Sequence, residues 1–432
     1  MKPHMPKRLA AIACSFLLTL DTTVSAGLGV MTWTVWTGVG AAARAAEPAP
    51  KGAPASEVEY RRLLEAGPQS IHVVRFDLGR GDLAVAATVG RSVRGNETVP
   101  AMVARLPKHL GRPLAAINGD YFEFKGEPRY FGTLQGMCIV EGELVASPPA
   151  IAFWIDAQAR PRLGRVASRL EVIWPVGKET PISVNCSTRD FKSEVRAVDT
   201  VLYTPFFGPS TRTAEGTREW VLQRPTPDAP WLPLVAGKTY AARVSKTWRT
   251  GDATIPRDGL ILSVANAAAG PPPTANVDDT VKLRIACDPD MTGVRTAIAG
   301  EPMLLADGKV LTNPAGKDRA PRTAVGLAGN RVWFVVVDGR QPAKAVGMSH
   351  HELAGLMKRL GCTDALNLDG GGSSTLWYEG EVRNQPSDGT PRSVGNALIL
   401  LQSTQQGEKA AGRSTTRSKG ANGEAQTTPR GL

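Results

Sequence analysis

VWFVVVDGR at residues 332–340, SHHELAGLMKRL at 349–360 and ALNLDGGGSST at 365–375 read in turn as strand, helix and strand, and this order organises the chain around them. Val332 to Val337 is a nearly continuous apolar run, the pattern of a strand covered on both faces. Ser349 and Glu352 have capping-box spacing. Leu353, Leu356, Met357 and Leu360 share one helical face, and Gly361 is placed to stop the helix. Ala365 to Leu368 forms the second strand. A crossover of this kind brings both strand ends to one edge of a sheet. Asp338 and Asp369, each directly after its strand, are therefore expected to be neighbours.

Upstream, strand-like runs dominate. Thr323 to Leu327 precedes the apolar run, and Met303 to Leu305 and Lys309 to Leu311 flank the turn Ala306-Asp307-Gly308 as a hairpin. Ser70 to Leu78 and Leu83 to Val89 read as a second hairpin across Gly79-Arg80-Gly81-Asp82. Pro100 to Leu110 has helical spacing, and Pro113 to Ile117 is a short strand entering Asn118-Gly119-Asp120-Tyr121-Phe122. From Val235 to Ile285 brief apolar runs alternate with Pro, Gly and Asp turns, which fits an insertion or a β-rich subdomain. The expected fold class is α+β: a mixed, strand-rich sheet with a few packed helices in one large domain over residues 56–402.

The ends differ in kind. Residues 1–46 carry Lys2, Lys7 and Arg8 before an apolar run from Leu9 to Leu20, the pattern of an export signal. A second apolar stretch, Gly27 to Ala43, leaves open an uncleaved membrane anchor. Residues 47–55 form a Pro/Ala-rich linker. Residues 403–432 are polar and glycine-rich, and are expected to be disordered because they bury too little to offset ordering. A secreted, periplasmic or envelope location follows from the leader.

The formal charge of +11 is spread thinly, with about +3 at each end and about +5 between. No basic stripe with interleaved aromatics is present, which argues against nucleic acid. Of the five cysteines, Cys14 lies in the leader, and Cys138, Cys186, Cys287 and Cys362 are far apart. They lack zinc spacing and fit either up to two disulfides or free buried thiols.

Several short motifs carry polar chemistry. Gly370, Gly371 and Gly372 after Asp369 permit positive φ and leave backbone N–H groups uncovered, and successive N–H groups can form an anion-binding nest. Ser373 and Ser374 add hydroxyls. A tight glycine turn with an Asx cap is the plainer alternative. Arg340, in Asp338-Gly339-Arg340, can grip phosphate or carboxylate, as can Arg322 and Arg392. Asn118, Asp120, Tyr121 and Phe122 offer the amides, carboxylates and aromatic faces that sugar sites use; a turn followed by core aromatics is the plainer alternative. His350 and His351 begin the helix without ligand spacing to another histidine.

These motifs resemble the phosphodiester glycosidase domain of the family that includes N-acetylglucosamine-1-phosphodiester alpha-N-acetylglucosaminidase. The matching string runs from Pro321-Arg322-Thr323 through Asp338-Gly339-Arg340, Gly347-Met348-Ser349 and Asn367 to Thr375, and ends in Arg392-Ser393-Val394-Gly395-Asn396-Ala397. Asn118-Gly119-Asp120 extends it upstream. The resemblance implies hydrolysis of a sugar–phosphate diester at the glycosidic bond. It places Asn118, Asp120, Arg322, Asp338, Arg340, Asn367, Asp369, Gly370, Gly371, Gly372, Ser373, Ser374, Arg392 and Asn396 at the site. Asp369 or Asp338 would be base or nucleophile, with Asp120 a third acidic group, and the loop with Arg340 or Arg322 would hold the phosphate. Glu301 stands where relatives more often have glycine. No cofactor is implied with certainty; a divalent cation such as calcium beside the aspartates stays open, without EF-hand-like spacing to support it. The alternative is a non-catalytic carbohydrate- or wall-polymer-binding protein of exopolysaccharide biosynthesis.

Overall fold

Alternation along Arg331–Val337 sets the architecture. Val332, Phe334 and Val336 enter one core cluster, while Trp333, Val335 and Val337 enter another, so the strand is buried on both faces as its composition predicts. Each fully buried side chain of this size contributes about 1.5–3 kcal/mol. The computed structural model describes residues 58–402 except 189–197, 267 and 269–274. The leader, linker and polar tail lie outside the described residues.

The elements that carry the site are β1 (Gln69–Asp77), β2 (Arg112–Asn118), β3 (Thr296–Gly300), β4 (Arg322–Ala328), β5 (Arg331–Val337), β6 (Asp364–Leu368) and β7 (Asn396–Gln402). A seven-stranded sheet contains β1, β5, β4 and β6 as consecutive neighbours. A five-stranded sheet contains β2 beside β7. The first core cluster lies between them, drawing Val325, Phe334 and Leu366 from one sheet and Leu114, Ile117 and Leu398 from the other. Outside the seven-stranded sheet, the helix His350–Arg359 packs Leu353, Leu356 and Met357 against Val335 and Ala365. Its Ser349/Glu352 capping box is formed in both directions. Outside the five-stranded sheet, the short helix Val99–Ala104 packs against Ile399 and Leu401.

A third, twelve-stranded sheet takes in the middle of the chain, with long strands Pro161–Ile173, Lys238–Trp248 and Thr280–Asp288, and reaches β3. The protein is thus mostly β. The α+β expectation holds for its mixed, strand-rich part, but helices are few and short: among the described residues they are two α-helices and single 3-10 turns.

One expected pairing is wrong. Gln69–Asp77 and Leu83–Val89 are both strands, and a turn joins them, but they do not form a hairpin. The first pairs with Glu59–Glu65 and β5; the second pairs with β7 in the other sheet. The turn carries the chain across the core because both strands need apolar neighbours that only the two separate sheets supply. The expected Pro100–Leu110 helix is also shorter, ending at Ala104 before Pro107. Cys138, Cys186, Cys287 and Cys362 are all free thiols, three of them buried.

Candidate active site

β5 and β6 both run antiparallel to β4, which lies between them, so their ends do reach one edge of the sheet. Val337 is opposite Arg322, and Leu368 is opposite Thr323. Asp338 and Asp369 therefore leave the sheet two inter-strand spacings apart, about 10 Å. Their carboxyl groups then diverge in role.

Asp338 is buried. Its Oδ2 lies 3.0 Å from His72 Nε2, and its Oδ1 accepts from the Gln385 N–H at 2.8 Å and from Asn384 Nδ2 at 3.3 Å. Burial alone would raise its pKa, but His72 and the Gln385 N–H outweigh that, and it sits below the ordinary carboxylate value. His72 Nδ1 in turn meets Tyr60 Oη at 2.9 Å. Asn384 also donates to the Ser374 carbonyl at 3.0 Å. Asp338 thus braces one end of the glycine loop from behind.

Asp369 keeps some exposure. Its acidic neighbour is Asp120, which arrives from the other sheet at the end of β2. The Asp369 N–H donates to the Gly119 carbonyl at 2.8 Å, and Asn118 Nδ2 donates to the Asp369 carbonyl at 2.7 Å. Asn118 Oδ1 accepts from Thr323 Oγ1 at 2.8 Å and from the Thr375 N–H at 3.0 Å. This single buried amide ties the ends of both sheets to the loop. Asn396 Oδ1 accepts the Asp120 N–H at 2.7 Å and fixes the turn.

Burial pushes Asp120 up to about 7, and the charges of Asp369 and Glu301 add to that, against N–H bonds from Gly136 and Tyr121. Those two N–H groups lie 2.7 and 2.8 Å from its oxygens. Burial pushes Asp369 up to about 6, against hydrogen bonds from Ser373 and the Gly370 N–H and the charge of Arg392. Two carboxyl groups whose pKa values are both raised toward neutrality suit acid–base chemistry there.

The glycine loop is not the bare nest expected. The Gly371 N–H donates to Pro321 O, the Ser373 N–H to Gly370 O and the Ser374 N–H to Gly371 O. Its openness is used instead by arginines. Gly371, at φ +61°, would bring a Cβ to 3.0 Å from Arg340 Nη2, and a Cβ on Gly372 would collide with Arg392. Arg340 is exposed, adopts a left-handed φ of 59°, and has no hydrogen bond or ion pair among the described residues. A non-glycine residue in that conformation carries strain, at a cost of about 1–3 kcal/mol. Arg392 pairs with Asp388 at 2.6 Å and approaches Ser373 Oγ at 3.5 Å.

Arg322 is turned away from the loop. Its guanidinium is buried and donates to Met348 O, Asp318 O and His350 Nε2, each within 2.9 Å. Desolvation and the Arg322 charge lower the pKa of His350. Asn367 is likewise internal: its Nδ2 donates to Tyr121 Oη, Glu301 O and Leu368 O. Ser374 Oγ and Asn367 Oδ1 are buried without a hydrogen-bond partner among the described residues. Tyr121 lines a cleft of about 640 Å³ beside Asp120, whereas Phe122 is buried in the core against the Val99–Ala104 helix. Among the described residues no group of three or more His, Cys, Asp or Glu side chains gathers as a metal site. His72, Asn384 and Asp388 carried no sequence signal beyond the four-residue spacing of Asp388 and Arg392.

Residues 234–401 match the family model for phosphodiester glycosidase. An 81-residue segment is 36% identical to the SPbeta prophage-derived uncharacterized protein YomE of Bacillus subtilis (strain 168), spanning 18% of this chain and only 12% of that protein. A hypothetical protein from Synechocystis superposes with a TM-score of 0.63 at 18% identity, covering 79% of this chain and 61% of its own. A protein from Burkholderia pseudomallei K96243 described as exported gives a TM-score of 0.58 at 24% identity, covering 77% and 74%. The likenesses to these two solved structures are likenesses of fold. Residues 234–401, which hold β3 to β6, most of β7 and the glycine loop, are thus the part of the chain that is similar to phosphodiester glycosidases.

Proposed function

We propose that the protein hydrolyses a glycosyl phosphodiester at its glycosidic bond. The observation that carries this reading is the pairing of Asp369 and Asp120 beside a loop over which the unpaired Arg340 and the Asp388-linked Arg392 are laid. Cleavage at an anomeric carbon develops positive charge on the sugar, which a carboxylate stabilises. Negative charge returns to the departing phosphate, where fixed guanidinium groups favour it.

In this scheme the bond between the anomeric carbon and the phosphate oxygen breaks, and its electron pair leaves with the phosphate. Water supplies hydroxide to the anomeric carbon. Asp369, ionised above about pH 6, takes the water proton in a direct displacement; where it first forms a glycosyl ester, Asp120, having given up its proton, takes the water proton as the ester is hydrolysed. Asp120 keeps a proton to about pH 7 and can pass it to the departing oxygen. The products are a free sugar and a phosphomonoester. Asp338, engaged by His72, supports the loop in this scheme.

Export follows from the leader-like N-terminus and agrees with the Burkholderia protein described as exported. The reading is tested by assaying phosphate-linked and plain aryl glycosides side by side. Release of sugar from the phosphodiesters alone is expected. Cleavage of plain glycosides alone, or binding of both without turnover, sinks it; the latter outcome is that of a carbohydrate-binding protein.

A further inference from the structure

The cleft next to Asp120 is longer than the chemistry needs. Its floor crosses three neighbouring strands in register, from Gly300 on β3 to Ile151 on Ala150–Ile155 to Arg165 on Pro161–Ile173. Two inter-strand spacings separate Gly300 from Arg165, about 10 Å, which exceeds the width of one pyranose ring. The volume of about 640 Å³ lies within the roughly 300–1,000 Å³ of clefts that enclose ligands of several rings. A single sugar would fill only the end at Asp120 and Tyr121.

The lining is polar and of mixed sign. Arg165 and Glu301 both face the cleft, both are exposed, and neither side chain has a hydrogen bond or ion pair among the described residues. Asp288, also on the wall, is held by Arg169. Gln135 adds an amide. An unpaired guanidinium and an unpaired carboxylate in one cleft, not joined to each other, suit a neutral ligand dense in hydroxyl groups, for which the first donates and the second accepts. A second phosphate or a nucleic acid would meet two carboxylates here.

We infer that this cleft is an extended glycan-binding groove, and that the substrate's glycosyl part is an oligosaccharide or polymer chain. This rests on the proposed reaction at Asp369 and Asp120. The chain lies across Gly300, Ile151 and Arg165, with its reducing-end sugar at Asp120 and its phosphate toward the glycine loop. Arg165, two strands from Gly300, sets the preference for length by holding the second ring, while Glu301 lies beside the first.

The test uses the full chain and matched mono- and trisaccharide 1-(methyl phosphate) diesters, with glucose, galactose, mannose or an N-acetylhexosamine at the anomeric end. For the sugar that is cleaved, the trisaccharide is expected to exceed the monosaccharide in kcat/KM by about tenfold or more, mainly through KM. Arg165→Ala is expected to collapse that ratio toward one, whereas Glu301→Gln, at the Asp120 end, is expected to change kcat/KM for both lengths alike. Equal kcat/KM for the two lengths, or a ratio that Arg165→Ala leaves intact, overturns the groove while the reaction stands. Cleavage of no diester in the panel overturns the reaction itself. Because the Arg165 side chain is exposed and Glu301→Gln keeps its shape, misfolding is checked simply by comparing thermal melts.

Discussion

Asp338 and Asp369 leave parallel strands of one sheet at the same edge, and the fold treats them in opposite ways. Asp338 is sealed against His72 and Asn384, with its pKa held down. Asp369 stays partly open beside Asp120, with its pKa driven up to about 6. The first arrangement satisfies a charge; the second leaves one under strain. A carboxylate whose lone pairs are filled stabilises structure, whereas one that is desolvated more than its hydrogen bonds compensate is poised to react. The comparison thus separates a bracing aspartate from the one proposed to react, though both are a strand end followed by glycine.

The largest expected contrast is in turnover. Asp369→Asn should lower kcat by about a thousandfold or more, and should be stabilising at pH 8 by up to about 3 kcal/mol, because it removes a carboxylate that is costly to ionise in the fold. Steady-state kinetics and urea melts on the same sample read both. An active Asp369→Asn enzyme would break the comparison.

Asp338→Ala should do the reverse, costing about 1–3 kcal/mol of stability by leaving the buried donors of Asn384 and the Gln385 N–H without an acceptor, with kcat of the remaining folded protein within about tenfold. The milder Asp338→Asn serves if the alanine variant does not fold. The sign with pH also differs between the two regions. The depressed Asp338 contributes stability above the unfolded carboxylate value, near 4, that is lost as pH falls through its folded value. The raised Asp120 and Asp369 do the opposite: they favour folding most below about pH 4, and that advantage fades as pH rises to about 6 and 7.

Arg340→Ala should raise the inhibition constant of inorganic phosphate and lower kcat/KM, each by about tenfold to a hundredfold, as expected for loss of a charge-assisted hydrogen bond worth about 1.5–3 kcal/mol. Unchanged phosphate inhibition would remove Arg340 from the leaving-group site. The smallest effect is the sharpest discriminator. The plot of kcat/KM against pH should be bell-shaped, rising near 6 as Asp369 ionises and falling near 7 as Asp120 loses its proton. These are apparent values of a coupled pair. Asp120→Asn should abolish the alkaline limb, and a limb that persists assigns it to another group.

What the sequence made legible was local. The Val332–Val337 run, the Ser349/Glu352 cap and the strand before Asp369 announce themselves through periodicity and capping chemistry within a dozen residues. The crossover argument correctly sent both aspartates to one edge. It could not show β4 lying between them, nor that Asp338 turns toward a histidine some 266 positions earlier in the chain. The partner that Asp369 does have, Asp120, belongs to a strand of a different sheet, and no crossover rule links strands across a core. Leu83–Val89 failed as a hairpin arm for the same reason: the turn signal was real, but partner choice is a tertiary matter. The resemblance places Arg322 and Asn367 at the site; Arg322 donates to backbone carbonyls and to His350 at a helix start, and Asn367 to backbone carbonyls and Tyr121 Oη.

Asn118 joins the ends of the two sheets through one side chain. Both halves of the proposed pair, Asp120 and Asp369, are therefore anchored to the same rivet, and neither sheet can peel away with its share of the site intact. Heating should extinguish catalysis and melt the β-sandwich in a single event, with no dim, half-folded species that still turns over substrate.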